Sequence, residues 1–352
     1  MRRSTAPTSR AAGRSPRHRS PARAARRAAA VALAGAVLWG AAAGAQSPVF
    51  DDDELSRGFT RGLIAVAGGE EAFTGERAAA EAAAAIGRGV DLAGLVADAA
   101  TPPDGRPLYD SVVPAVVAVS SIHKCSRCAD WHLGGGGSGW ILSPDGLVVT
   151  NHHVIATEPA HRLGVMTADG EVYAVTAVVA ADPVGDAVVI RIDTRGRRLP
   201  FLRLGAAPAC GTPVSVVSHP VGRYWCLTEG VVSRFHRQQP PRDEAAPAAD
   251  TAGAAPAVPA GAAKPVWMSI TADYTVGSSG GPVFNAAGEV VGMVARTVTI
   301  SNAKREEGNP RRRPSAGETI VFKDCVSADT LRRLLDGAPA DDGSLAATPQ
   351  AR

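Results

Sequence analysis

Between residues 112 and 299 the chain is a succession of short Val- and Ile-rich runs, each cut off by Gly, Pro or Asp. The runs fall at 112–122, 139–142, 147–150, 163–167, 173–180, 187–192, 214–218, 227–234, 266–271, 282–285 and 290–299. β-Branched residues favour extended backbone, and Gly, Pro and Asp end it in turns. Many short strands at this spacing predict an all-β fold, an antiparallel sandwich or barrel. No helix-length amphipathic pattern separates the runs, which excludes a parallel α/β sheet. Aromatic residues are only 5% of the chain, so the core has to rest on Val, Ile, Leu and Ala.

The flanks read differently. Residues 46–107 are Ala/Glu-rich and helical in pattern but poor in bulky apolar residues, and Pro102, Pro103 and Pro107 close the stretch. It reads as a stalk or packed-on extension. Residues 238–264 are almost wholly Pro, Ala and charge, the composition of a disordered surface insertion. A second polar loop, 302–317, carries Arg311, Arg312 and Arg313 and reads as a solvated loop tip. A short helix near 327–335 ends the body, and a frayed tail follows over 337–352. The main domain is therefore expected at 108–336.

Arginines accumulate up to Arg26 and Arg27, an apolar run follows from 28 to 43, and Ala43-Gly44-Ala45 offers a small-residue cleavage site. Residues 1–45 thus read as an export signal, with an uncleaved membrane anchor as the other reading, and the remainder is expected in the periplasm or secreted. Contact with a membrane is expected only if that signal stays attached. The formal charge is +3 over 352 residues, and the first 27 residues hold much of the positive charge. The rest is acidic, which argues against a nucleic-acid binder.

Three segments carry chemistry. They are Thr150-Asn151-His152-His153-Val154, Asp182-Pro183-Val184-Gly185-Asp186-Ala187 and Gly277-Ser278-Ser279-Gly280-Gly281-Pro282. Acyl transfer to a hydroxyl needs a nucleophile, a base, a carboxylate that orients the base, and amide donors for the oxyanion. Gly277-x-Ser279-x-Gly281 also fits the nucleophile elbow of α/β-hydrolases, but there a His must follow the Ser. All eight histidines, at positions 18, 123, 132, 152, 153, 161, 219 and 236, precede Ser279. The elbow reading fails, and the order His, Asp, Ser remains.

In these segments, and in the Gly-x-Gly turn before Trp140, the chain resembles trypsin-like serine proteases, most specifically the HtrA/Deg family of periplasmic proteases. The resemblance covers about residues 109–335. It implies two six-stranded antiparallel β-barrels of chymotrypsin type, with the helical N-terminal extension and a short C-terminal helix added. It implies a serine endopeptidase acting on protein or peptide substrates, with no cofactor or metal in its mechanism, and a homo-oligomer, in this family a trimer. The family places its base immediately before the Val of Thr-Asn-x-His-Val, which selects His153 over His152. Its carboxylate opens the Asp-x-Ala-type strand, which selects Asp186 over Asp182. Its nucleophile precedes Gly-Gly, which selects Ser279 over Ser278, with the amides of Gly277 and Ser279 as oxyanion donors. The alternative is a catalytically silent binding or scaffold protein on the same fold.

Departures from the pattern matter too. Ser278 stands where digestive relatives have Asp, and no Ile-Val-Gly-Gly-like start occurs, so their zymogen switch is not expected. No stretch of PDZ length is expected after Leu335. Ala295 stands where relatives place a hydroxyl residue that steadies the triad carboxylate. Asp273 lies six residues before Ser279, the offset at which trypsin keeps its specificity carboxylate. A buried carboxylate there selects Lys or Arg, whereas HtrA-like proteases favour small aliphatic side chains. Asp273 and Ala295 are the candidate substrate-pocket residues.

Five cysteines in an exported chain permit disulfides. Cys125 and Cys128 lie in His123-Lys124-Cys125-Ser126-Arg127-Cys128-Ala129-Asp130-Trp131-His132. That spacing is open to a zinc site or to a disulfide, within the pair or to Cys210, Cys226 or Cys325, and the disulfide is the plainer expectation. Ala129, not His, follows Cys128, which argues against a c-type haem.

Overall fold

A computed structural model describes residues 48–69, 72–91, 108–128, 130–237, 265–301 and 319–337. The expected signal at 1–45, the insertion at 238–264, the Arg311–Arg313 loop and all but the first residue of the 337–352 tail lie outside the described residues.

Two closed barrels form the body. The first contains β1 (Val116–Lys124), β2 (Trp131–Ile141), β3 (Leu147–Thr150), β4 (Arg162–Met166), β5 (Val172–Asp182) and β6 (Ala187–Ile192). The second contains β7 (Pro213–Ser218), β8 (Cys226–His236), β9 (Trp267–Ile270), β10 (Pro282–Phe284), β11 (Val290–Ser301) and β12 (Thr319–Ser327). Strand order is β1-β2-β3-β6-β5-β4 in one and β10-β11-β12-β9-β8-β7 in the other, antiparallel throughout. Closure leaves no open sheet edge. The expected two six-stranded barrels are what the chain builds.

Val and Ile fill the first barrel, with Val117, Val119, Val148, Val165, Val189 and Ile190 buried. Val214, Val216, Val232, Met268, Ile270, Val283 and Val294 fill the second. Trp225 packs with the first core, and its indole N–H donates to the Val116 carbonyl at 3.1 Å. That bond ties the loop entering β8 to the first barrel.

The N-terminal extension is docked on this body. Helix α1 (Asp52–Ala67) is capped by Asp51, which accepts from the Glu54 amide at 2.9 Å, and α2 (Gly75–Ala84) by Thr74. Phe59 and Leu63 of α1 are buried, each adding about 1.5–3 kcal/mol of burial. Contact is close enough that a Cβ on Gly62 would overlap Val172, and one on Gly164 would overlap Leu63. Helix α3 (Leu108–Val112) and a 3₁₀ turn (Val113–Ala115) lead into β1. One turn of helix, α4 (His152–Ile155), follows β3, and α5 (Ala328–Asp336) closes the body. Ser327 caps α5, and Gly337 ends it in the left-handed conformation at φ 67°. Among the described residues, no helix is long and apolar enough to cross a membrane.

The strand runs read from sequence need three adjustments. The run at 112–122 is helical before β1 begins, because Pro114 lacks an amide for the ladder. Strand β2 extends back through Gly134–Gly137, where the absence of side chains at Gly134, Gly136 and Gly137 admits close neighbours. Strand β12 was not read as a strand at all.

Candidate active site

The cleft residues come from both barrels. After β3, Asn151 turns the chain into α4 and places His153 one residue inside it. Between β5 and β6, Asp182 Oδ1 accepts from the amides of Val184 and Gly185 at 3.1 and 2.8 Å. That turn puts Asp186 at φ 53°, a left-handed conformation Asp tolerates better than most side chains. The Asn151 amide group donates to the Asp186 carbonyl at 2.8 Å and holds it there.

His153 and Asp186 meet directly. His153 Nδ1 lies 2.8 Å from Asp186 Oδ2 and 3.1 Å from Oδ1, and the His153 backbone amide donates to Oδ1 at 3.1 Å. An ionised carboxylate can only accept, so Nδ1 carries the proton and the neutral ring presents Nε2 as an acceptor. Burial works to lower the His153 pKa, and the hydrogen bond and charge of Asp186 outweigh it, so it stands above its ordinary 6.5. His152, on the same turn, has no such partner among the described residues; burial pushes its pKa down.

Ser279 is brought to the same place by β2. The Ser138 amide donates to the Ser279 carbonyl at 2.6 Å. A Cβ on Gly137 would lie 2.7 Å from the Ser279 carbonyl and 2.8 Å from Val154, the neighbour of His153. Gly137 is thus the point where β2, α4 and the Ser279 loop converge, and only a residue without a side chain fits. Ser279 Oγ donates to the Ala295 carbonyl at 3.2 Å, and among the described residues no hydrogen bond joins it to His153. A rotation about χ1 redirects a serine hydroxyl, and such bonds are often loose without substrate. Ser278 is different: it is fully buried and accepts from Ser218 Oγ at 3.0 Å.

The loop before Ser279 has a constrained backbone. Gly277 has φ 91°, and a Cβ there would lie 2.5 Å from the His219 carbonyl. The Val276 carbonyl accepts from the Val221 amide at 2.8 Å. In a trans peptide C=O and N–H point opposite ways, so this bond turns the Gly277 N–H away from the Val221 loop. Among the described residues the amides of Gly277 and Ser279 have no hydrogen-bond partner.

The comparisons bear on this arrangement. Residues 137–293 match the family model described as trypsin-like peptidase domain. Over that stretch the chain is similar to trypsin-like peptidases. Over 168 residues it is 35% identical to a probable periplasmic serine endoprotease DegP-like from Pseudomonas fluorescens, 47% of this chain and 30% of that protein. Over 165 residues it is 33% identical to mitochondrial serine protease HTRA2 of Bos taurus, 46% of this chain and 32% of that one. The chain thus spans about a third of the length of the curated relatives it matches. The solved structure of Deg5 aligns with TM-score 0.45 and 24% identity, over 64% of this chain and 89% of that one.

Within the matched stretch, Asp273 is exposed on 87% of its side chain and pairs with Lys323 Nζ at 2.6 Å. It does not offer the buried carboxylate that selection of Lys or Arg requires. Ala295 is buried and contributes its carbonyl, the partner of Ser279. Sequence reasoning passed over Ser138, whose hydroxyl donates to the Gly277 carbonyl at 2.9 Å and accepts from the His219 amide at 3.0 Å. It also passed over the loop from His219 to Trp225, where Val221 and Trp225 take φ 45° and 51°. Non-glycine residues at positive φ leave no pattern in a sequence. His219 itself is buried, its pKa pushed down to about 4 by desolvation, and its Nδ1 accepts from the Trp225 amide at 3.0 Å.

The expected disulfide is not formed. All five cysteines are free, and Cys128 Sγ faces His132 Nε2 at 3.1 Å.

Proposed function

We propose that the chain is a serine endopeptidase that cleaves protein substrates through an acyl-enzyme on Ser279. The observation that carries this is the 2.8 Å contact between His153 Nδ1 and Asp186, which aims a neutral imidazole nitrogen into the cleft. Ser279 Oγ attacks the scissile carbonyl and its proton passes to His153 Nε2. The imidazolium, stabilised by Asp186, then protonates the leaving amine, and water completes the cycle by the same route. The Gly277 and Ser279 amides receive the oxyanion. The one observation that favours a silent, binding-only chain is the Ser279–Ala295 hydrogen bond. Turnover of an unfolded protein by the native chain and by Ser279→Ala separates the two.

The periplasmic names of the relatives and the export-like N-terminus support a site of action outside the cytoplasm, and family resemblance supports a homo-oligomer. The residues 108–336 are taken as the catalytic unit, with 46–107 as its docked extension. Val221 and Val276 flank the anion pocket, exposed at 59% and 78%, and suit apolar side chains beside the scissile bond.

The acid limb of kcat/KM tests the base. Its apparent pKa is expected above 6.5, because Asp186 raises the His153 value. Asp186→Asn is expected to move that limb below 6.5, since burial alone then acts, and to lower the rate by about 10⁴-fold. Stability runs the other way. A raised folded-state pKa contributes stability below pH 6.5 that is lost as pH rises through the folded value, so activity appears as this contribution fades.

The extension is well placed to support the anion pocket. Asp52 Oδ1 accepts from the Tyr224 amide at 3.0 Å, Ser56 Oγ lies 3.2 Å from Tyr224 Oη, and Phe50 packs on Trp225 with centroids 5.4 Å apart. These contacts fix the loop whose Val221 amide orients the Val276–Gly277 peptide. Asp52→Ala is expected to lower kcat about tenfold, ~1.4 kcal/mol, with KM held. Asp52→Asn, which keeps an acceptor oxygen, is expected to restore kcat.

A further inference from the structure

At the far end of the β1–β2 hairpin, about 20 Å along β2 from Gly137 at ~3.3 Å per residue, lies a second cluster with chemistry of its own. Cys125 Sγ, Cys128 Sγ and His132 Nε2 all lie within 4.8 Å of one another. The Cys125 amide donates to the Asp130 carbonyl at 2.9 Å, which closes the tip into a tight loop. The Arg127 amide points at Cys125 Sγ from 3.4 Å. The hairpin beneath is ordered by its ladder, with Lys124 opposite Trp131 and His123 opposite His132. Arg162 lies over the Trp131 ring at 4.8 Å. Beside the cluster stand two more imidazoles: His123 stacks on His161 with centroids 4.6 Å apart and lies 6.0 Å from His132.

We propose that Cys125, Cys128 and His132 bind a thiophilic divalent cation, of which zinc is the best match, with the fourth position left to water. Two thiolates and an imidazole form a borderline-soft donor set that hard cations such as magnesium or calcium do not favour. Zinc holds sulfur at about 2.3 Å and imidazole nitrogen at about 2.0–2.1 Å, so tetrahedral ligand atoms stand about 3.4–3.8 Å apart. Cys128 Sγ and His132 Nε2 stand 3.1 Å apart and all three ligand atoms lie within 4.8 Å, so small side-chain adjustments reach that geometry. The S···N contact between Cys128 and His132, with both sulfurs and the imidazole nitrogen within 4.8 Å of one another, is that of groups converging on one point. The site lies apart from Ser279, and its expected effect is to lock the hairpin tip rather than to enter peptide hydrolysis.

The test is titration of the full chain, stripped of metal and reduced, with Co²⁺ as a spectroscopic probe and then Zn²⁺. The expected result is one equivalent of Co²⁺ in a tetrahedral spectrum with a thiolate charge-transfer band, displaced by one equivalent of Zn²⁺. Cys128→Ser and His132→Ala are expected to weaken zinc by more than the ~10–100-fold typical of losing a merely supporting contact. Cys210→Ser, at an exposed thiol elsewhere, is expected to bind as the native chain does. Thermal unfolding without metal checks that the variants fold. A titration without the thiolate band overturns the proposal, as does a band that survives Cys128→Ser. A Cys125–Cys128 disulfide, mapped in cells after thiols are blocked at lysis, overturns it as well.

Discussion

Ser279→Ala is expected to lower kcat/KM on a protein substrate by about 10⁴-fold or more while leaving the fold intact. The size follows from the chemistry: without the hydroxyl there is no nucleophile, and what remains is substrate binding and the oxyanion donors. Folding should tolerate the change because Ser279 Oγ makes one hydrogen bond, at 3.2 Å, to the Ala295 carbonyl. The neighbouring serine gives the opposite pattern. Ser278→Ala removes the acceptor of Ser218 Oγ inside the protein and should cost roughly 0.5–1.5 kcal/mol of stability. Turnover by Ser278→Ala is expected to survive. Steady-state kinetics and thermal unfolding of the two variants distinguish a nucleophile from a packed hydroxyl.

The second large effect is expected at Gly277. Its φ of 91° disfavours any side chain, and a Cβ would approach the His219 carbonyl to 2.5 Å. Backbone cannot yield there as a flexible side chain would, so Gly277→Ala has to rotate the Val276–Gly277 peptide out of place. Loss of one oxyanion donor lowers kcat by about 10²–10³-fold, and KM is expected to change little, because the donor acts on charge that develops after binding. Gly87 provides the control. It also has positive φ, at 73°, but a Cβ there meets nothing within 4 Å. Gly87→Ala should therefore lose some stability through backbone strain and keep its kcat.

The reach of sequence reasoning follows the physics of each element. Strands were legible wherever β-branched residues lay between turn residues, as in β3, β6 and β7. Strand β12 was missed because Lys323 and Asp324 interrupt its apolar pattern; Asp324 is buried through bonds from Ser269 and His236 on β9 and β8, partners that only tertiary structure brings near. His153, Asp186 and Ser279 were preferred to His152, Asp182 and Ser278 on the family resemblance of their motifs; in the structure His153 meets Asp186, while Ser279 Oγ bonds the Ala295 carbonyl. Ser138 could not, since its role depends on Gly277 and His219, both far away in the chain. The docking of Phe50, Asp52 and Ser56 against Tyr224 and Trp225 left no periodic trace either. The cysteine pair was read toward a disulfide because spacing alone does not show that the turn brings His132 against Cys128. Asp273 matched an offset, but an offset carries no information on burial, and its carboxylate lies exposed in a pair with Lys323.

The account depends on a hydroxyl at position 279 that His153 can activate. Peptide mapping after reaction of the folded chain with a serine-directed phosphonate measures this most directly. The expected result is a single adduct on Ser279, formed in the native chain and far more slowly in His153→Ala. A folded chain that takes up no phosphonate, or carries it on another residue, would contradict the account.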